Sequence, residues 1–118
     1  MAQRILNEMN YNRIKLETYI PEIHLKTLQE ALKDVGAGRI GSYDSCMSYC
    51  RVSGTWRPLE GANPYNGRAG EISEGEEIKV EVVVDADSAV ETVAAVRNVH
   101  PYEEPVINLI PLLDVENL

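Results

Sequence analysis

The order strand–helix–strand–strand–helix–strand along 118 residues predicts an α+β sandwich of the ferredoxin-like kind. Such a βαββαβ fold is an antiparallel four-stranded sheet with both helices on one face, here with a long loop between strands 2 and 3. Three observations predict it. Residues 13–20 and 78–84 alternate apolar and polar side chains, the period of a half-buried strand. Each run is followed by apolar residues at helical spacing. Each helical run then meets a stop, Gly36 in one case and Pro101 in the other.

Residues 1–12 show no clear periodicity and read as a lead-in tail. In the first strand Ile14, Leu16, Thr18 and Ile20 share one face, with Arg13, Lys15, Glu17 and Tyr19 on the other. Pro21 suits the first turn of a helix, where its missing donor costs nothing. Ile23, Leu28, Ala31, Leu32 and Val35 give that helix its apolar stripe, and Gly36 is placed to cap it in a left-handed conformation. Gly36-Ala37-Gly38-Arg39-Ile40-Gly41 matches Gly-x-Gly-x-x-Gly, but the dinucleotide fingerprint must open a helix and this one closes one. It reads as a turn.

Residues 45–52 form the second strand, with Cys46, Ser48, Cys50 and Val52 on one face and Met47, Tyr49 and Arg51 on the other. Strand positions four apart lie about 13 Å from each other, too far for a disulfide or a shared metal ion. The two cysteines therefore read as reduced, half-buried thiols. Residues 53–76 are a 24-residue stretch with five glycines and two prolines. Loops this long are uncommon in compact domains and tend to be functional or disordered. Trp56, the only tryptophan, argues against plain disorder. A binding loop and an excursion covering a sheet edge both stay open.

Residues 78–84 are the clearest strand, rich in β-branched side chains. Ser88-x-x-Glu91 has the form of a capping box and starts the second helix, with Val90, Val93, Ala94 and Val96 as its stripe. His100 precedes a proline and ends it. Residues 106–113 supply the last strand, and 114–118 a short tail of what reads as one domain. The second sheet face is left bare, and Val83, Met47, Tyr49 and the 106–113 run look too apolar for open water. Self-association over that face is the expected remedy.

Eleven basic against nineteen acidic side chains give a net charge of −8, which argues against nucleic acid and anionic membranes as partners. No apolar run approaches the ~20 residues of a membrane span, and the N-terminus lacks the apolar core of a signal peptide. A cytoplasmic protein is expected.

Three motifs carry a resemblance. The Gly36–Tyr43 turn, the Gly54-Thr55-Trp56-Arg57-Pro58-Leu59-Glu60-Gly61-Ala62-Asn63-Pro64 loop and His100-Pro101-Tyr102-Glu103-Glu104-Pro105 together resemble the insert domain of the Nif-three-like family. These dinuclear-metal proteins are often labelled GTP cyclohydrolase I type 2 homologues. The last motif is also similar to CutA proteins, which share the trimeric architecture of PII signalling proteins. The resemblance spans about residues 13–113. It implies a PII-like homotrimer. In full-length members the paired metals are held by segments flanking the insert, and those segments are not found here. The chain thus resembles the insert standing alone, without the dimetal site or the cyclohydrolase activity. Trp56 and Asn66 depart from the phenylalanine and aliphatic residue the family leads one to expect.

The expected function is a non-enzymatic, homo-oligomeric binding module for a small or regulatory ligand. Tyr43, Trp56, Arg57, Asn63, Tyr65 and Tyr102 are its candidate ligand-binding residues. The first alternative is a metal-binding protein or metal-dependent hydrolase whose site is shared between subunits. His100, Glu104, Cys46 and Cys50 are its candidate ligands and a divalent metal the one candidate cofactor. In an extended segment Glu104 would lie about 13 Å from His100, so one chain could not close that site. The second alternative is a pure assembly or partner-recruiting domain. No residue is assigned a catalytic role. His24 is expected to be solvated, and His100 to cap the carbonyls ending its helix.

Overall fold

The computed structural model describes residues 3–4, 11–113 and 115; most of the two expected tails lies outside them. The elements are β1 (Arg13–Ile20), α1 (Leu25–Asp34), β2 (Met47–Trp56), β3 (Ser73–Asp85), α2 (Ala89–Val99) and β4 (Ile107–Leu112). A single turn of tighter helix, Glu22–His24 and Ala86–Ser88, precedes each α-helix. The sheet order is β2-β3-β1-β4 and every pairing is antiparallel. This is the expected ferredoxin-like sandwich.

Alternation in β1 sends Ile14, Leu16, Thr18 and Ile20 inward, facing Val84, Val82, Val80 and Ile78 across the β1–β3 ladder. Leu28 and Leu32 of α1 and Ala89 and Val96 of α2 close over them. Burying each large aliphatic side chain contributes about 1.5–3 kcal/mol, so this one layer dominates stability. The buried Thr18 hydroxyl donates to the Val106 carbonyl at 2.8 Å and fixes where β4 begins. β4 is an edge strand, which is why its Pro111 is tolerated.

Gly36 caps α1 as expected, with φ 79°. Ala37 N–H donates to Leu32 O at 2.9 Å and Gly36 N–H to Lys33 O at 3.0 Å, the two bonds of a Schellman end. Gly38, at φ 76°, donates to Val83 O and accepts from Cys46 N–H, both at 2.9 Å. The glycine run is therefore a turn that seats the chain against β3 before β2 starts.

Three expectations need correction. The loop is shorter than residues 53–76, because β2 and β3 stay paired from Met47↔Val82 to Trp56↔Ser73 and leave only 57–72 between them. Beyond Ile20↔Ile78, where β1 ends, the pair runs on as a two-stranded ribbon. Next, Ser88 stands at the N-cap of α2 but makes no side-chain cap bond. Its φ of −103° and ψ of 7° continue the tight turn before it, away from the extended geometry a capping side chain uses. Finally, the bare face carries ion pairs as well as apolar side chains. Met47 and Tyr49 stand opposite Val82 and Val80, on the helix side, while Val83 and, from the 106–113 run, Ile110 and Leu112 face outward beside Lys15 and Arg13. Lys15–Glu81 (3.3 Å), Lys79–Glu81 (3.3 Å) and Lys79–Glu17 (3.7 Å) lace that outer face, and Asn108 donates to Glu17 at 2.8 Å. The bond to Glu81 holds the Lys79 ammonium above its ordinary range, and the bond from Lys79 holds the Glu81 carboxyl below its own.

Candidate functional site

The segment from His100 to Val106 joins α2 to β4, and Pro101 dictates its start. His100 leaves helical geometry at ψ 130° while its N–H still donates to Val96 O at 3.0 Å. Residues 102–104 then bend, so strand alternation does not place His100 and Glu104 on a common face. The imidazole caps no helix carbonyl. Its Nε2 lies 2.8 Å from the Tyr19 carbonyl, and its Nδ1 accepts the Tyr102 N–H at 3.2 Å. A carbonyl can only accept, so the proton sits on Nε2 and the ring is neutral. Burial lowers the affinity of this imidazole for a second proton. His100 thus ties the end of β1 to the start of the bend.

Tyr102 lies against His100, ring centroids 4.8 Å apart, and its hydroxyl donates to Glu77 Oε2 at 2.8 Å. Burial, reinforced by the Glu77 carboxylate, pushes its phenol well above the usual tyrosine range and keeps it a donor. Glu77 stands on the ribbon, opposite Val52. The hydroxyl therefore pins the ribbon to the α2–β4 connection.

The 57–72 loop folds back onto the same place. Tyr65 packs on Tyr102 at 5.7 Å between centroids, with His24 edge-on to Tyr65 at 6.2 Å. Asn63 N–H donates to Glu103 Oε2. The base of the loop is held separately. Trp56 Nε1–H donates to Asn66 O and Gly70 N–H to Pro58 O, both at 2.8 Å. A row of four aromatic side chains, His24, Tyr65, Tyr102 and His100, from three parts of the chain results, bordered by two carboxylates.

Among the expected ligand-binding residues, Tyr65, Tyr102 and Asn63 meet at this site, and Trp56 braces the loop. Arg57 is exposed at the start of the loop. Tyr43 belongs elsewhere, exposed in the turn after α1 where Ile40 and Tyr43 exchange backbone bonds. Of the expected metal ligands, His100 is at the site with both ring nitrogens bonded to backbone, and Glu104 is exposed on the bend. Cys46 and Cys50 are free thiols at the start of β2. Cys46 Sγ–H points to Asp44 O at 3.6 Å. Among the described residues no three His, Cys, Asp or Glu side chains of one chain group closely enough to hold a metal.

His24, Glu77 and Glu103 complete the site, and none was among the expected residues. His24 is half-buried against Tyr65, not solvated. The one available signal was the crowding of acidic residues around Tyr102 in the motif itself. Among the described residues no helix is long and apolar enough to cross a membrane.

No protein-family model matches the chain. In three dimensions it is similar to CutA proteins. That of Pyrococcus horikoshii has a TM-score of 0.66 over 86% of each chain at 19% identity. That of Xylella fastidiosa has a TM-score of 0.68 over 90% of this chain and 89% of that one at 14% identity. Identities this low show the fold alone, and on that ground the chain has the ferredoxin-like fold seen in CutA proteins. In sequence it is similar to one segment of longer proteins. It is 41% identical over 98 residues to a GTP cyclohydrolase 1 type 2 homolog of Halalkalibacterium halodurans, covering 83% of this chain and 26% of that protein. With the Mycobacterium leprae homolog it is 36% identical over 95 residues, covering 80% and 25%. A Bacillus cereus protein related to NIF3 has a TM-score of 0.77 at 30% identity, over 88% of this chain and 26% of that one. The chain spans about a quarter of the length of the curated relatives it matches. The resemblance read from the three motifs is thus met by both comparisons.

Proposed function

We propose that the chain is an oligomeric, non-enzymatic binding module for a small or regulatory ligand, with its site in clefts between copies. The observation that carries this reading is the convergence of the 57–72 loop on the Tyr102 bend. Rings, a phenol donor and two carboxylates gather there, away from the hydrophobic core. The outer edge of β2 supports assembly. It is ten residues long, unpaired on one side among the described residues, and largely exposed. Such an edge is a template for pairing with another copy, and its far end leads directly to the loop. The charged open face is the less suitable surface, because covering it would desolvate Lys79, Glu17 and Glu81 together. A trimer is the expected assembly. Light scattering on untagged protein tests this, and a single-chain mass at micromolar concentration overturns it. Binding is tested by a thermal-shift screen of metabolites on the wild type and on Tyr65→Ala. A stabilising compound whose effect is lost in the variant is expected.

One observation favours a second reading, a metal site shared between subunits. Two structural neighbours are described by tolerance of divalent ions: a divalent cation tolerance protein CutA of Archaeoglobus fulgidus and a divalent ion tolerance protein CutA1 of Ehrlichia chaffeensis. His100, Glu104, Cys46 and Cys50 would be the ligands, drawn from different copies. His100 would first have to give up a backbone bond. Stoichiometric metal in untagged protein, lost in His100→Ala, would replace the first reading with this one.

A further inference from the structure

The loop is anchored in two separate ways. Its base is fixed to itself and to the ribbon. Asn66 O accepts the Trp56 indole N–H, and a side chain at Gly67 would collide with Ser73 Oγ at 2.8 Å and Trp56 Nε1 at 3.0 Å. The tip from Gly61 to Tyr65, which ends at that anchor, is different. Gly61 at its start and Gly67 just past the anchored Asn66 both have positive φ, 91° and 111°, where other residues are strained. From Gly61 to Tyr65 the contacts with the body are the Asn63 N–H on Glu103 and the Tyr65 ring on Tyr102 and His24. Tyr65 is the outer layer of this stack, half exposed, while Tyr102 and Glu77 beneath it are partly buried.

We infer that Gly61–Tyr65 is a strap, hinged at Gly61 and at the anchored Asn66–Gly67, that closes over the Tyr102–Glu77 pair, held shut by Glu103 and Tyr65, and that a ligand reaches this pair only when the strap lifts. The inference rests on the binding reading for its purpose but not for its test. A strap latched by one hydrogen bond and the packing of one side-chain ring opens far more easily than the sheet unfolds. A ligand that takes over the Glu103 carboxylate or the face of Tyr102 would lift it. Asn63, Tyr65 and Glu103 then set access to the site, and Trp56 sets the fixed point from which the strap swings.

Amide hydrogen exchange on the full chain tests this without a ligand. The Asn63 amide should be protected in the wild type, and Glu103→Ala should speed its exchange about tenfold or more, the factor for one hydrogen bond to a charged group. Tyr65→Ala should also speed it. Glu103→Gln, which keeps an acceptor oxygen, should retain much of the protection. In all three variants the Gly70 amide at the loop base should exchange as in the wild type. Unchanged Asn63 exchange in both alanine variants overturns the strap. So does an equal rise at Gly70, because the whole loop would then be melting. Failure to find any ligand would count against the binding reading and leave the exchange result standing.

Discussion

His100→Ala separates a structural role for this histidine from a role as a ligand. In the wild type the imidazole bridges Tyr19 O at 2.8 Å and Tyr102 N–H at 3.2 Å and packs on the Tyr102 ring. Two neutral hydrogen bonds contribute about 0.5–1.5 kcal/mol each, and the ring contact about 0.5 kcal/mol or more. The site is half-buried, so water replaces part of this in the variant, and a loss of about 2 kcal/mol is expected. With a urea slope of about 2 kcal/mol/M, usual for a domain of this size, the midpoint should fall by about 1 M at constant slope. Urea unfolding of metal-free protein, followed by Trp56 fluorescence and by circular dichroism, gives the number. A midpoint shift below about 0.2 M would refute the bridging role. The histidine would then be spare in the metal-free chain, as a waiting metal ligand should be.

Other outcomes follow from the same geometry. Gly38→Ala should cost at least about 2 kcal/mol in thermal or urea unfolding, since φ is 76° and the new methyl would lie 2.6 Å from the Cys46 carbonyl. Gly36→Ala, equally left-handed but with nothing within 4 Å, should cost only about 1 kcal/mol. Folding depresses proton binding at His100, so its contribution to stability is present above pH 6.5, its unperturbed value, and is lost as pH falls through the lower folded value. A urea midpoint that declines below pH 6.5 in the wild type but less steeply in His100→Ala is the expected signature. Cys46 and Cys50 should both react with a thiol-specific reagent in native protein, Cys50 the faster because it is exposed. A mass two hydrogens light in a single chain would contradict the strand spacing that keeps them apart.

Much of the fold was legible because its signals are local. The period-two runs of β1 and β3, the glycine that ends α1 and the proline that ends α2 act on their own neighbourhoods, and each is where the pattern put it. The ribbon was hidden by its composition. Gly54 and Gly75 depress strand propensity, yet they face each other, and the Trp56 ring comes within 3.3 Å of where a Gly75 side chain would begin. An aromatic covering a cross-strand glycine restores the packing that the glycine lacks. The polarity of the open face was misread because one residue of register decides which face a side chain takes. Met47 and Tyr49 are apolar enough for either face, and only their pairing with Val82 and Val80 assigns them to the helix side. The candidate site was half legible. Tyr102, His100 and Tyr65 lie in motifs dense with polar and aromatic groups. Their contacts with His24 and Glu77 join residues distant in sequence, and no spacing rule reaches across such gaps.

The most direct test of the central claim is a crystal structure of the untagged protein in its assembled form, inspected around Trp56 and His100. The account predicts that the Tyr65–Tyr102–His100 patch borders a second copy and that the cleft between them holds a ligand or room for one. A patch facing open solvent in every copy, away from all subunit contacts, would contradict it.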